Sequence, residues 1–72
     1  MTPAPLRIAV AGAGYIGQAH IAAIQQTSGL RLSAIVDPSE AGQAIASQHG
    51  VAHFHDLGVL LADARPDAIV LA

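Results

Sequence analysis

Residues 7–20 read RIAVAGAGYIGQAH. A short apolar run, RIAVA (7–11), leads into three spaced glycines, Gly12, Gly14 and Gly17. An apolar run closed by glycine predicts a buried strand. Beyond it, Ile16, Ala19, Ala23 and Ile24 recur at helical spacing and predict a helix over 15–28, with Gly29 as its stop. At such a turn each glycine has its own task. Gly12 permits the tight turn, Gly14 lets a pyrophosphate approach the backbone, and Gly17 lets the helix pack close on the strand. The helix N-terminus then offers free N–H groups and partial positive charge to the phosphates.

The rest of the chain repeats this alternation. LRLSAIV (30–36) reads as a second strand, ended by Asp37-Pro38 because the residue before proline is driven to extended geometry. A second helix follows over 39–49, with Ser39 as N-cap and Gly50 closing it. VAHF (51–54) is a third strand. Asp56 caps a short helix whose Leu57, Leu60 and Leu61 form a core stripe. Pro66 ends that helix, and DAIVLA (67–72) is a fourth strand. The reading is β-α-β-α-β-α-β: an α/β chain forming part of a doubly wound parallel sheet, with expected strand order 3-2-1-4. Residues 1–72 are expected to be the N-terminal part of a dinucleotide-binding domain, without a substrate domain, and 1–5, with Pro3 and Pro5, a loose arm.

Composition narrows the function. The chain is 53% hydrophobic and 11% charged, with a formal net charge of -2. Its only basic residues are Arg7, Arg31 and Arg65, and lysine is absent. That argues against nucleic acid and against an anionic membrane surface. The absence of cysteine removes disulfides and thiolate metal sites, and no secretory signal is present, so a cytoplasmic location is expected. Of the four histidines, His49, His53 and His55 read as surface residues flanking a short strand; no metal ligand set is assigned. His20 falls one turn after Ile16 and reads as a structural residue or one near the turn.

Asp37 lies twenty residues after Gly17, at the end of the second strand. There a carboxylate accepts hydrogen bonds from the adenosine ribose hydroxyls of a dinucleotide. A 2′-phosphate would meet its charge, and residues 38–49 hold no Arg or Lys to neutralise it, so NAD is expected over NADP. Ser39 offers a neutral hydrogen bond to such a phosphate, which moderates the preference. Tyr15, inside the glycine turn, is expected at the cofactor edge or the surface.

Three segments together, RIAVAGAGYIGQAH, LSAIVDPS and DLGVLLADARPDAIVLA, resemble the N-terminal NAD(P)-binding domain of the Gfo/Idh/MocA oxidoreductase family. The resemblance covers nearly the whole chain. It implies a Rossmann fold and a role in hydride transfer between a nicotinamide cofactor and a sugar, polyol or related substrate. It also implies that Gly12, Gly14, Tyr15, Ile16 and Gly17 line the pyrophosphate and that Asp37 holds the ribose. In the family a catalytic lysine lies in a later Glu-Lys-Pro-type motif, followed by a substrate domain. With no lysine here, no catalytic residue is assigned, and the chain is expected to be a fragment, inactive and weakly folded alone. A homo-oligomer of the full-length protein is left open. Two rival functions use the same turn: a non-enzymatic NAD sensor, and an FAD-binding domain, which usually prefers Glu at the end of the second strand. A methyltransferase fits less well, since its cofactor has no pyrophosphate.

Overall fold

The computed structural model describes residues 4–72. Part of the expected arm, 1–3, lies outside the described residues; Ala4 and Pro5 are exposed and precede the first strand. The elements are β1 (Leu6–Ala11), α1 (Tyr15–Gln26), β2 (Leu30–Val36), α2 (Glu40–His49), β3 (Ala52–Phe54), α3 (Leu57–Asp63) and β4 (Ala68–Leu71). All strands are parallel, in the order β3-β2-β1-β4. This is the expected α/β Rossmann-type sheet.

Handedness explains where the helices go. The chain steps from β1 to β2 to β3 in one direction, so right-handed crossovers put α1 and α2 on the same face. The return from β3 to β4 reverses direction and puts α3 on the other face. Two core clusters follow. One joins Ile8, Val10, Leu32 and Ile35 of the sheet to Ile21 and Ile24 of α1 and Ala46 of α2. The other joins Ala9, Ala34 and Val36 to Leu60 of α3.

Simple alternation would put Leu32 and Ile35 on opposite faces. They share one because β2 holds an extra residue against β1. Ile8 pairs with Leu32 and Ala9 with Ala34, which leaves Ser33 as the bulge. The Ser33 hydroxyl is buried there and finds no hydrogen-bond partner among the described residues.

Helix ends follow local chemistry. Asp56 Oδ1 accepts from Val59 N–H at 3.1 Å and caps α3. Gly50 closes α2 at φ +68, in the left-handed region. α1 ends at Gln26 rather than Ser28, because Thr27 Oγ1 bonds back to the Ala23 carbonyl and Gly29, at φ +87, turns the chain into β2. Near the start of β1, Arg7 donates to the Ala64 and Arg65 carbonyls and lies 3.6 Å from Asp67, tying β1 to the α3–β4 turn.

Two expected faces are corrected. The buried stripe of α1 is Gly17, Ile21 and Ile24; Ile16, Ala19 and Ala23 are exposed. Gly17 presses against the glycine turn and fixes the rotation of the helix, so the residues four and seven later face the sheet. In α3 only Leu60 is buried, while Leu57 and Leu61 are 38% and 50% exposed. A seven-residue helix over the small Ala9 and Ala34 seats a single leucine.

Candidate functional site

The carboxyl ends of β1 and β4 meet where strand order reverses. Between them lies a cavity of about 310 Å3 lined by Gly12, Gly14, Tyr15, Ile16, Gly17 and Ala72. Ligands of open α/β sheets bind at this topological switch point.

The three glycines differ in what surrounds them. Gly12 has φ +111, outside what side chains favour, and a Cβ there would meet the Ala72 carbonyl oxygen at 3.0 Å. Its N–H bonds to the Val36 carbonyl at 2.8 Å, fastening the turn to β2. A Cβ on Gly17 would fall 1.9 Å from the Gly12 carbonyl oxygen, so the expected close packing is real and its partner is the turn itself. Gly14 meets nothing within 4 Å. Its glycine is unnecessary for the packing of the chain and leaves open space in front of the helix.

Gly14 is also the N-cap of α1, with no side-chain cap and no acidic residue in the first turn. The positive end of the helix therefore faces the cavity. Tyr15 is 92% and Ile16 64% exposed, both at the cavity wall. Gln18 donates from Nε2 to the Ala13 carbonyl at 3.3 Å and steadies the turn.

Asp37 sits beside this turn rather than in the cavity wall. Its Oδ2 accepts from Ala13 N–H at 2.8 Å, and its Oδ1 accepts from Ser39 N–H at 2.8 Å and from the Ser39 hydroxyl. Donation by the Ser39 hydroxyl, then by the Ala13 and Ser39 N–H groups, holds the Asp37 carboxyl below its ordinary value and keeps it ionised. A carboxylate offers about four acceptor positions. Three are occupied, and the remaining one is on Oδ2.

Two neighbours of Asp37 were not anticipated as such, and His53, expected at the surface, is half-buried. His53 Nε2 lies 2.8 Å from the Asp37 carbonyl oxygen, which only accepts, so Nε2 carries the proton. Gly42, buried in the first turn of α2, faces the Asp37 side chain. Its signal was a glycine inside a helix three residues after an N-cap serine. His53 and His55 stack edge-on with centroids 4.7 Å apart, while His49 pairs with Gln25. Among the described residues no group of three His, Cys, Asp or Glu is placed to hold a metal ion. His20 is exposed on α1 and is not part of the cavity wall.

The arginines lie elsewhere. Arg7 and Arg31 pair across β1 and β2 near the amino ends of the strands, and Arg65 precedes β4. No helix among the described residues is long and apolar enough to cross a membrane.

Comparison with known proteins places this geometry. The chain is similar to the WlbA dehydrogenase of Bordetella pertussis, solved with NADH and UDP-GlcNAcA, at 36% identity and TM-score 0.89 over 100% of the chain and 21% of that protein. It is similar to GenD2 of gentamicin A biosynthesis, solved with NAD, at 28% identity and TM-score 0.87 over 97% of the chain and 20% of that protein. It also resembles apo scyllo-inositol dehydrogenase of Lactobacillus casei at 25% identity and TM-score 0.90, over 100% of the chain and 22% of that protein. The chain thus spans about a fifth of the length of these structures. A search of curated proteins finds no match. Residues 6–72 match the Gfo/Idh/MocA family, described as "Oxidoreductase family, NAD-binding Rossmann fold", and the chain belongs to that family.

Proposed function

We propose that this chain is the adenosine-diphosphate-binding part of an NAD-dependent dehydrogenase that oxidises a hydroxyl of a sugar, polyol or sugar nucleotide. The observation that carries the reading is the open space in front of Gly14, at the uncapped N-terminus of α1 and at the switch point of the sheet. A pyrophosphate there takes hydrogen bonds from first-turn N–H groups and charge stabilisation from the helix, with no cationic side chain required. Gly12, Gly14, Tyr15, Ile16 and Gly17 form its cradle. Asp37 offers the free position on Oδ2 to a ribose hydroxyl. A second hydroxyl is accommodated if the Ser39 hydroxyl swings away from Oδ1. The substrate class is drawn from the similar proteins, solved with a sugar nucleotide or named for inositol.

The nicotinamide, when bound, supplies the hydride chemistry. The residues here anchor and orient the other half of the cofactor. They also support NAD over NADP. A 2′-phosphate would approach Asp37, ionised and hydrogen-bonded, with Glu40 in the adjoining first turn of α2. Ser39, the neutral donor that moderated the sequence expectation, already bonds to Asp37.

The test is titration of the full-length protein with NADH and NADPH, followed by cofactor fluorescence. NADH should bind more tightly, and Asp37→Ser should narrow or reverse the preference. Equal affinity of the parent protein for both would refute the assignment of Asp37. Reduction of NAD over a panel of polyols, sugars and sugar nucleotides tests the enzymatic reading. Tight NAD binding without turnover of any of them would favour a nucleotide sensor.

A further inference from the structure

We propose that Gly42 is a positioning residue that sets the Asp37 carboxylate and, through it, the choice between a free 2′-hydroxyl and a 2′-phosphate. The inference rests on the reading of Asp37 as the ribose acceptor. Gly42 lies in the first turn of α2, where alanine is the better helix former and no left-handed φ calls for glycine. Space is the reason for glycine here. A Cβ on Gly42 would lie 2.5 Å from Asp37 Cβ, 3.2 Å from Asp37 Cγ and 3.1 Å from His53 Nε2.

Asp37 cannot retreat from that contact. Its N–H bonds to the Phe54 carbonyl at 2.9 Å, and its own carbonyl accepts from His53 Nε2 at 2.8 Å. Both bonds tie the Asp37 backbone to the β3 segment. Any side chain at position 42 therefore lifts the start of α2, because turning the carboxylate relieves the contact with Asp37 Cγ and leaves the one with its Cβ. That movement disturbs one chain of bonds. Gly42 N–H donates weakly to Ser39 Oγ at 3.4 Å, and the Ser39 hydroxyl donates to Asp37 Oδ1. With that chain broken, Oδ2 no longer presents its free position beside the Ala13 N–H. The ribose loses its acceptor, and a 2′-phosphate loses the fixed charge that repels it.

The experiment compares NADH and NADPH dissociation constants for the full-length parent, Gly42→Ala, Asp37→Ala and the double variant. Gly42→Ala should narrow the NADH preference by at least about tenfold, the effect of losing one hydrogen bond to a charged group. The double variant should discriminate no differently from Asp37→Ala alone, because Gly42 acts through Asp37. A purely structural role would weaken both cofactors alike and leave their ratio unchanged. If Asp37→Ala collapses the ratio while Gly42→Ala keeps it within about twofold of the parent, this inference alone is overturned. Additive effects in the double variant overturn it as well. If Asp37→Ala leaves the ratio intact, the ribose reading itself falls and takes this inference with it. Should Gly42→Ala fail to fold, Asp37→Gly on the same chain removes the struck Asp37 atoms, leaves only the 3.1 Å approach to His53 Nε2, and should restore folding. A double variant that remains unfolded overturns the proposal.

Discussion

Replacing Gly17 by alanine tests the reasoning about the glycine turn most sharply, because two principles give opposite signs. Helix propensity alone favours alanine over an interior glycine by about 1 kcal/mol. Gly17 is the third residue of α1, so a propensity argument predicts a gain. The structure predicts a loss. The new methyl carbon would sit 1.9 Å from the Gly12 carbonyl oxygen and 2.8 Å from its carbon. Both are backbone atoms, so no side chain can rotate away. Gly12 is itself held by its N–H bond to Val36, and a shift away from the methyl would strain that bond. Overpacking of this kind costs typically about 1–3 kcal/mol. A clash with fixed backbone belongs at the upper end, and subtracting the propensity gain leaves a net loss of about 2 kcal/mol. Gly14→Ala is the control. Its added carbon meets nothing within 4 Å, and its φ of -75° suits any residue, so its stability cost stays below about 1 kcal/mol, the scale of an altered N-cap. Urea unfolding of both full-length variants, followed by far-ultraviolet circular dichroism, reads the difference directly. A Gly17→Ala protein as stable as its parent, or more stable, would refute the packing argument.

The other outcomes are simpler. Gly14→Val should leave the unfolding free energy within about 1 kcal/mol of the parent yet abolish NADH binding, since its side chain fills the open space; calorimetry showing unchanged affinity would move the phosphate site elsewhere. Asp37 has a lowered folded-state pKa, so its contribution to stability is present above the unfolded-state value and is lost as pH falls through the folded one; Asp37→Asn should flatten that acid limb of a urea-midpoint-against-pH curve. Arg7→Ala should cost up to about 1 kcal/mol, because its ion pair with Asp67 is exposed while its bonds to the Ala64 and Arg65 carbonyls are not replaced; urea unfolding at low and high salt separates the two parts.

The strands, the glycine turn and the place of Asp37 at the end of β2 were legible in the sequence because each rests on a local signal, and the strand order followed from their alternation with helices. Apolar runs ended by glycine or Asp-Pro mark the strands, and side-chain-free positions mark the turn. What escaped depended on contacts between distant residues. The buried face of α1 is set by Gly17 meeting Gly12, and no periodicity among Ile16, Ala19 and Ala23 reveals a helix rotation fixed at its first turn. The bulge at Ser33 reverses the alternation of β2 midway, and nothing in LRLSAIV marks which residue lacks a partner. Leu57 and Leu61 looked like core because leucines at helical spacing usually are, but the facing sheet takes up a single leucine, Leu60, among Ala9, Ala34 and Val36. Gly42 was visible as a letter and invisible as a contact, since its partner Asp37 lies across a loop and is itself fixed by His53 from a third element.

The placement of charge explains why glycine matters so much here. All three arginines of the chain lie toward the amino ends of the strands, away from the cavity. At the carboxyl ends, Asp37 and Glu40 are negative. On the proposed reading, a diphosphate would approach an end of the sheet with no arginine or lysine to attract it, and its stabilisation would come from backbone dipoles. Such dipoles act at short range, within the first turn of a helix. They work only if the phosphate reaches the N–H groups directly, which requires an absent side chain at Gly14 and a helix start drawn tight against the turn at Gly17. On that reading the two glycines would serve one electrostatic end by opposite means: Gly14 leaves room in front of the helix, and Gly17 removes it behind.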